Sequence, residues 1–182
     1  MRRSQFIKST VLGLGVFSTG FIGNAFNHGA RSIKASQNTK PKVLKNGEGA
    51  KQIVLGDHQT LKLTGKDTNG QYTLIEQYND PGMEIPLHIH QDEDEIFHVL
   101  EGELEIQIGN DIKLLKAGDI GFCPRGIPHS WKVVGNSKAK VMLSVFPSGL
   151  ELMFGEIATL PPGPPDFKNL SKICEKYNIR FV

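Results

Sequence analysis

Three histidines and one glutamate carry the chemistry most legible in this chain. His88 and His90 stand two apart in Pro86-Leu87-His88-Ile89-His90. Glu95 follows a short acidic run, and His129 closes Pro124-Arg125-Gly126-Ile127-Pro128-His129. Side chains alternate along a strand, so both imidazoles of the pair share one face. A tight turn brings a carboxylate back beside them, and His129 on a later strand reaches the same point from across a sheet. Neutral imidazoles with one carboxylate suit a single first-row divalent ion such as iron, manganese, nickel or zinc. The set brings one negative charge, which holds such a cation without quenching its Lewis acidity. Glu93 and Asp94 compete with Glu95 for the carboxylate position, although Gln91 to Asp94 reads chiefly as a solvated turn. A lone histidine on a strand is ordinarily a polar residue on a wet face. Four such residues at these spacings argue for a metal.

The elements that must position them follow from the pattern after Gln52. Short β-leaning runs alternate with turn residues about every ten positions, which is an all-β signature. Strands are expected over 52–55, 59–64, 72–78, 85–90, 95–100, 103–108, 112–115, 120–123, 129–134 and 140–146. Leu104, Ile106 and Ile108 alternate with Glu103, Glu105 and Gln107, giving one buried and one wet face. Gly109-Asn110-Asp111 supplies hairpin chemistry. Such a series implies a sandwich, a jelly roll or a small barrel. The tail differs. Leu150, Met153, Phe154 and Ile157 recur at helical spacing, and a Pro/Gly run breaks the chain from Pro161 to Pro165. Asp166 then reads as the N-cap of a helix bearing Leu170, Ile173, Cys174 and Tyr177. This tail is expected to pack on the outside of the β-domain.

The N-terminus reads as a targeting segment. Arg2, Arg3 and Lys8 precede an apolar, Gly-rich run from Val11 to Gly23, and Gly23-Asn24-Ala25 offers a small-x-small cleavage site. The run is too short to serve as a stable membrane anchor. The start also resembles a twin-arginine export signal, with two residues rather than one between the arginine pair and Phe6. Export, to a periplasmic location, is the expectation. The formal charge of +2 belongs to this leader. Without its three basic residues and no acids, 18 basic face 19 acidic residues, a net of −1. No basic stripe argues for nucleic acid. Cys123 and Cys174 have no CxxC neighbour and read as unpaired thiols. The domain reading is an export signal over 1–25, a flexible linker over 26–50, the β-domain over 51–148 and a helical extension over 149–182.

Gly82, His88, His90, Glu95 and Gly102 resemble the first cupin motif at every spacing. Gly118, Pro124, Gly126 and His129 resemble the second, and Val133 stands where that motif often ends in asparagine. The resemblance implies a single-domain cupin, a double-stranded β-helix or jelly roll with a short C-terminal helical extension. It implies His88, His90, Glu95 and His129 as ligands of one divalent metal ion, with open positions for water, dioxygen or substrate. Among cupins the chain is similar to single-domain relatives of the quercetin dioxygenases. That likeness implies a metal-dependent dioxygenase for a small aromatic or enolic substrate, with Glu95 as both ligand and proton acceptor. The alternatives are an exported cupin that binds a metal or small ligand without turnover, or an isomerase or epimerase.

Alternation also suggests walls for the site. Phe97 shares the face of Glu95, and Trp131 the face of His129. Ile120 and Phe122 share a face, as do Met142, Ser144 and Phe146. Phe97, Phe122, Trp131, Met142 and Phe146 are therefore the expected lining of an apolar pocket for a small-molecule ligand. Arg125 is the sole candidate for binding an anion. His98 is expected to point outward, His58 lies in an expected turn, and neither it nor His28 receives a role. Leu87 and Ile89 are apolar on the face opposite the histidines, which implies a second layer. Cupins of this kind often pair through such a face, so a homodimer is expected.

Overall fold

The computed structural model describes residues 39–161 and 166–182. The proposed leader over 1–25 and half of the linker lie outside the described residues. All ten expected strands are present, with ends within two residues of those read from the sequence. They are β1 (Ala50–Val54), β2 (Asp57–Leu63), β3 (Thr73–Asn79), β4 (Glu84–His90), β5 (Asp94–Glu101), β6 (Glu103–Ile108), β7 (Asp111–Lys116), β8 (Ile120–Cys123), β9 (His129–Val134) and β10 (Ala139–Phe146). An eleventh, β11 (Ile179–Phe181), was not expected.

Two antiparallel sheets result. One has the order β1-β2-β3-β10-β5-β8 and the other β11-β4-β9-β6-β7. The strand order shows why neighbours in sequence do not always pair. β10 returns to lie between β3 and β5, and β9 lies between β4 and β6, the crossed connectivity of a jelly roll. Alternation sets the inner faces. Val141, Leu143 and Val145 of β10 point inward with Phe97 and Val99 of β5, and they join Leu104 and Ile106 of β6 in one core. Each large side chain buried this way contributes about 1.5–3 kcal/mol over leaving it exposed. Gly102 turns β5 into β6 at φ 75°, and a Cβ there would collide with the Lys138 carbonyl. Only glycine fits that turn, which gives the glycine after Glu95 a steric reason.

The tail contains α2 (Leu150–Ile157) and α3 (Phe167–Lys176), preceded by a single turn, α1 (Gly65–Thr68), between β2 and β3. Asp166 caps α3 by accepting from the Lys168 N–H at 3.0 Å, and Leu170, Ile173 and Cys174 face the core. The tail does not simply lie outside the β-domain. β11 extends the five-stranded sheet alongside β4, pairing Ile179 with His90 and Phe181 with His88. Three residues after a helix are too few to declare a strand from sequence, and pairing with β4 decides the matter. No helix among the described residues is long and apolar enough to cross a membrane.

Candidate metal centre

β4 presents His88 and His90 from one face, β5 presents Glu95, and β9 presents His129 directly opposite His88 in the register. All four side chains are buried, and one ligand atom from each lies within 4.8 Å of every other. The outer nitrogens of the imidazoles are already engaged. His88 Nδ1 is 2.8 Å from the Pro86 carbonyl oxygen, and His129 Nδ1 is 3.2 Å from the Ile127 carbonyl oxygen. Both carbonyls only accept, so each Nδ1 carries the proton and each Nε2 is left with a bare lone pair. His90 Nδ1 is 3.3 Å from Glu93 Oε2, which fixes that ring in the same way.

The inner nitrogens converge on Glu95. Its Oε2 is 2.8 Å from His129 Nε2 and 4.0 Å from His90 Nε2. Lone pairs of buried imidazoles facing a carboxylate oxygen repel unless a positive centre sits among them. A proton meets that need for one pair, and a divalent cation meets it for all four groups. The donor set therefore fits a metal ion, and the carbonyls and Glu93 hold the ligand rings in the required tautomer.

The electrostatics agree. Burial pushes the Glu95 carboxyl up, but His90, His129 and His88 outweigh it and hold the pKa at about 2. Burial, reinforced by His129 and His90, lowers His88 to about 3. Burial also disfavours the charged form of His90, yet Glu95 and Glu93 raise its pKa above the ordinary value. At neutral pH the site thus offers an ionised carboxylate and a neutral His88.

Residues 76–146 match the family model for the cupin domain. The chain is 31% identical over 93 residues to quercetin 2,3-dioxygenase of Bacillus subtilis, covering 51% of this chain and 28% of that protein. It is 30% identical over 112 residues to the oxalate-binding protein of Thermotoga maritima, covering 60% of this chain and 88% of the relative. The chain belongs to the cupin superfamily. The structure of KdgF from Halomonas sp. covers 62% of this cupin and 99% of its own chain, with a TM-score of 0.54 at 18% identity, and so shares the fold. The cupin spans little more than a quarter of the length of the Bacillus relative.

The cavity of this cupin has a volume of about 340 Å³ and opens onto His88, His90 and Glu95. Phe97 and Trp131 line it, as alternation required. Phe122, Met142 and Phe146 do not. On β8 the inward positions belong to Gly121 and Cys123, which leaves Phe122 54% exposed. On β10 the inward positions are Val141, Leu143 and Val145, so Met142 and Phe146 lie on the outer face. Equal spacing told which residues share a face but not which face is inside. Their places are filled by Leu143 and by the tail, through Leu150, Met153, Phe154, Ile157 and Phe181.

Glu93 is buried rather than solvated, with its carboxylate against His90. Asp94 is bound by Arg125 through its side chain at 3.0 and 2.8 Å and through its backbone N–H. Those bonds hold Asp94 at about 2 and leave Arg125 committed, so the first is no metal ligand and the second no free anion site. His58 lies on β2 rather than in a turn. His98 sits on the outward face of β5, and Ile89 is buried with Leu87 half-buried behind the histidines. Cys123 and Cys174 are free and buried, and burial pushes both thiols up.

Proposed function

We propose that this cupin is a mononuclear metal-dependent dioxygenase acting on a small aromatic or enolic substrate. The observation that carries the reading is the pairing of the His88, His90, Glu95 and His129 set with an apolar cavity. Among the described residues no lysine or arginine lines that cavity. A phosphorylated or polyanionic substrate would find no counter-charge there, whereas a flat apolar ring would pack on Phe97 and Trp131. The same lack of a cationic lining weighs against an isomerase or epimerase of anionic sugars.

His88, His90 and His129 are held in one tautomer, with their Nε2 atoms inward, before any substrate arrives. Glu95 is ionised and faces the cavity, so it accepts a proton from a ligand hydroxyl placed beside it. A carboxylate held this low is a weak base. A bound divalent cation would supply the Lewis acidity that makes the hydroxyl acidic enough to give up its proton. Trp131, Phe97 and Leu143 give the cavity apolar walls beside that region.

Anaerobic loading with iron, manganese, nickel or zinc, followed by oxygen-uptake assays over catechols, flavonols and related enols, tests the proposal. Uptake with a redox-active metal is expected. Tight binding with no uptake under any metal supports the second reading, a cupin that holds its ligand without turnover. The likeness to an oxalate-binding protein favours that second reading. Export to the periplasm is part of the proposal and rests on the basic, apolar leader. Homodimerisation is proposed as well. Ile120 is 60% exposed beside Phe122 on an outer sheet edge, and Phe122→Asp with light scattering tests pairing through that edge.

A further inference from the structure

The cavity has a second polar end that the metal ligands do not explain. Asp57, Gln59 and Gln77 all line it, and Asp57 and Gln77 are 2% and 3% exposed. Asp57 Oδ2 accepts from Gln59 Nε2 at 2.7 Å and from Gln77 Nε2 at 2.6 Å, and its Oδ1 accepts from Asn79 Nδ2 at 2.6 Å. The three amides are therefore all turned with nitrogen toward the carboxylate. Two of their oxygens are also bonded. Gln59 Oε1 accepts from Gln52 Nε2, and Asn79 Oδ1 accepts from the His58 N–H, each at 2.8 Å. Gln77 Oε1 has no such bond. No fully enclosed side-chain polar atom among the described residues lacks a partner. Gln77 Oε1 is therefore not fully enclosed, and Gln77 lines the cavity.

A cluster serving only to staple β2 to β3 would close all its bonds internally, because an unpaired buried acceptor costs about 1–3 kcal/mol. This one leaves an acceptor without an internal partner on a residue that lines the cavity. Its position relative to the metal ligands follows from the register. Glu95 shares a rung with Val145 and Thr73, and Gln77 lies four residues further along β3. That is about 13 Å along the strands. The intervening rung carries Phe97 and Leu143.

We infer that the Gln77 carboxamide oxygen, held by Asp57, is the distal recognition group of this cavity. The ligand it selects is an elongated aromatic or enolic molecule with metal-binding oxygens at one end and a hydrogen-bond-donating hydroxyl at the other. The metal-bound end of this assignment rests on the proposed function. The distal contact rests on Gln77 alone.

Trp131 is the sole tryptophan and lines the cavity, so its emission reports occupancy. Zinc-loaded protein is titrated with 3-hydroxyflavone and with 3,4′-dihydroxyflavone, which differ by one distal hydroxyl, and calorimetry checks each affinity. The wild type should prefer the dihydroxy probe by about five- to tenfold, the effect of one added hydrogen bond. Gln77→Leu should erase that preference, so that the two probes bind with equal affinity. Equal affinities in the wild type overturn the inference whether or not the variant folds, as does a preference that survives Gln77→Leu. A preference that persists with no dependence on zinc removes the proposed function and leaves the Gln77 assignment standing. Binding of neither probe overturns both.

Discussion

Glu93 stands directly behind His90, with Oε2 at 3.3 Å from Nδ1, while His90 Nε2 turns inward toward Glu95. The ring is thus gripped between two carboxylates, one outside the proposed coordination sphere and one within it. Outer partners of this type fix the tautomer and raise the basicity of the ligand nitrogen. Glu93→Gln should therefore lower metal affinity by about 10- to 100-fold while leaving the fold intact. Competition with a chromophoric chelator measures the change. An unchanged affinity would show that Glu93 has no hold on the site.

Glu93 also marks a limit of reading sequence alone. The strands were legible because alternation and turn residues act locally, and His88, His90, Glu95 and His129 were legible because their spacing is itself the signal. The burial of Glu93 was not, because Gln91-Asp92-Glu93-Asp94 has the composition of a solvated turn and only the third residue faces inward. Phe122, Met142 and Phe146 failed for a related reason. Parity along a strand groups residues, and packing of the second sheet decides which group is inside. Asp57 and Gln59 come from β2 and Gln77 from β3, each an unremarkable polar residue until the two strands pair. The tail's share of the cavity was equally hidden, since β11 exists only through its partner β4.

Metal should contribute to stability by mass action, because the four ligand residues converge only in the folded chain. At a free metal concentration one hundred times Kd the gain is about 2.7 kcal/mol. For a domain of this size that corresponds to a rise in Tm of about 5–11 °C. Thermal unfolding of loaded and chelator-treated protein should show this gap, and the gap should vanish in His129→Ala.

The pH dependence of metal uptake follows from His90. Its pKa lies above the ordinary histidine value, so below that raised value a cation must displace a proton from Nε2. Affinity should fall as pH drops through that raised value, by about tenfold per unit. Glu95 stays ionised down to about 2 and His88 stays neutral down to about 3, so neither adds a step near neutrality. Glu93→Gln removes one of the groups that raise His90 and should move the step to lower pH. Calorimetry in buffers of different ionisation enthalpy counts the released proton.

β11 holds the outer edge of the strand that carries two ligands, with Ile179 opposite His90 and Phe181 opposite His88. Truncation after Asn178 should leave β4 as a bare edge, open the cavity wall formed by Ile179 and Phe181, and weaken metal binding. The β-rich circular dichroism should persist, because the core strands do not depend on β11. Wild-type metal affinity in the truncated protein would show that β4 holds its ligands unaided.

One ion shared by His88, His90, Glu95 and His129 is the centre of the proposed chemistry, and elemental analysis of the full chain tests for it most directly. Purified protein should carry about one divalent transition metal per chain, and Glu95→Gln and His129→Ala, folded by circular dichroism, should carry far less. Protein that takes up no metal when offered iron, manganese, nickel or zinc, or that binds equally well without Glu95 and His129, would contradict it.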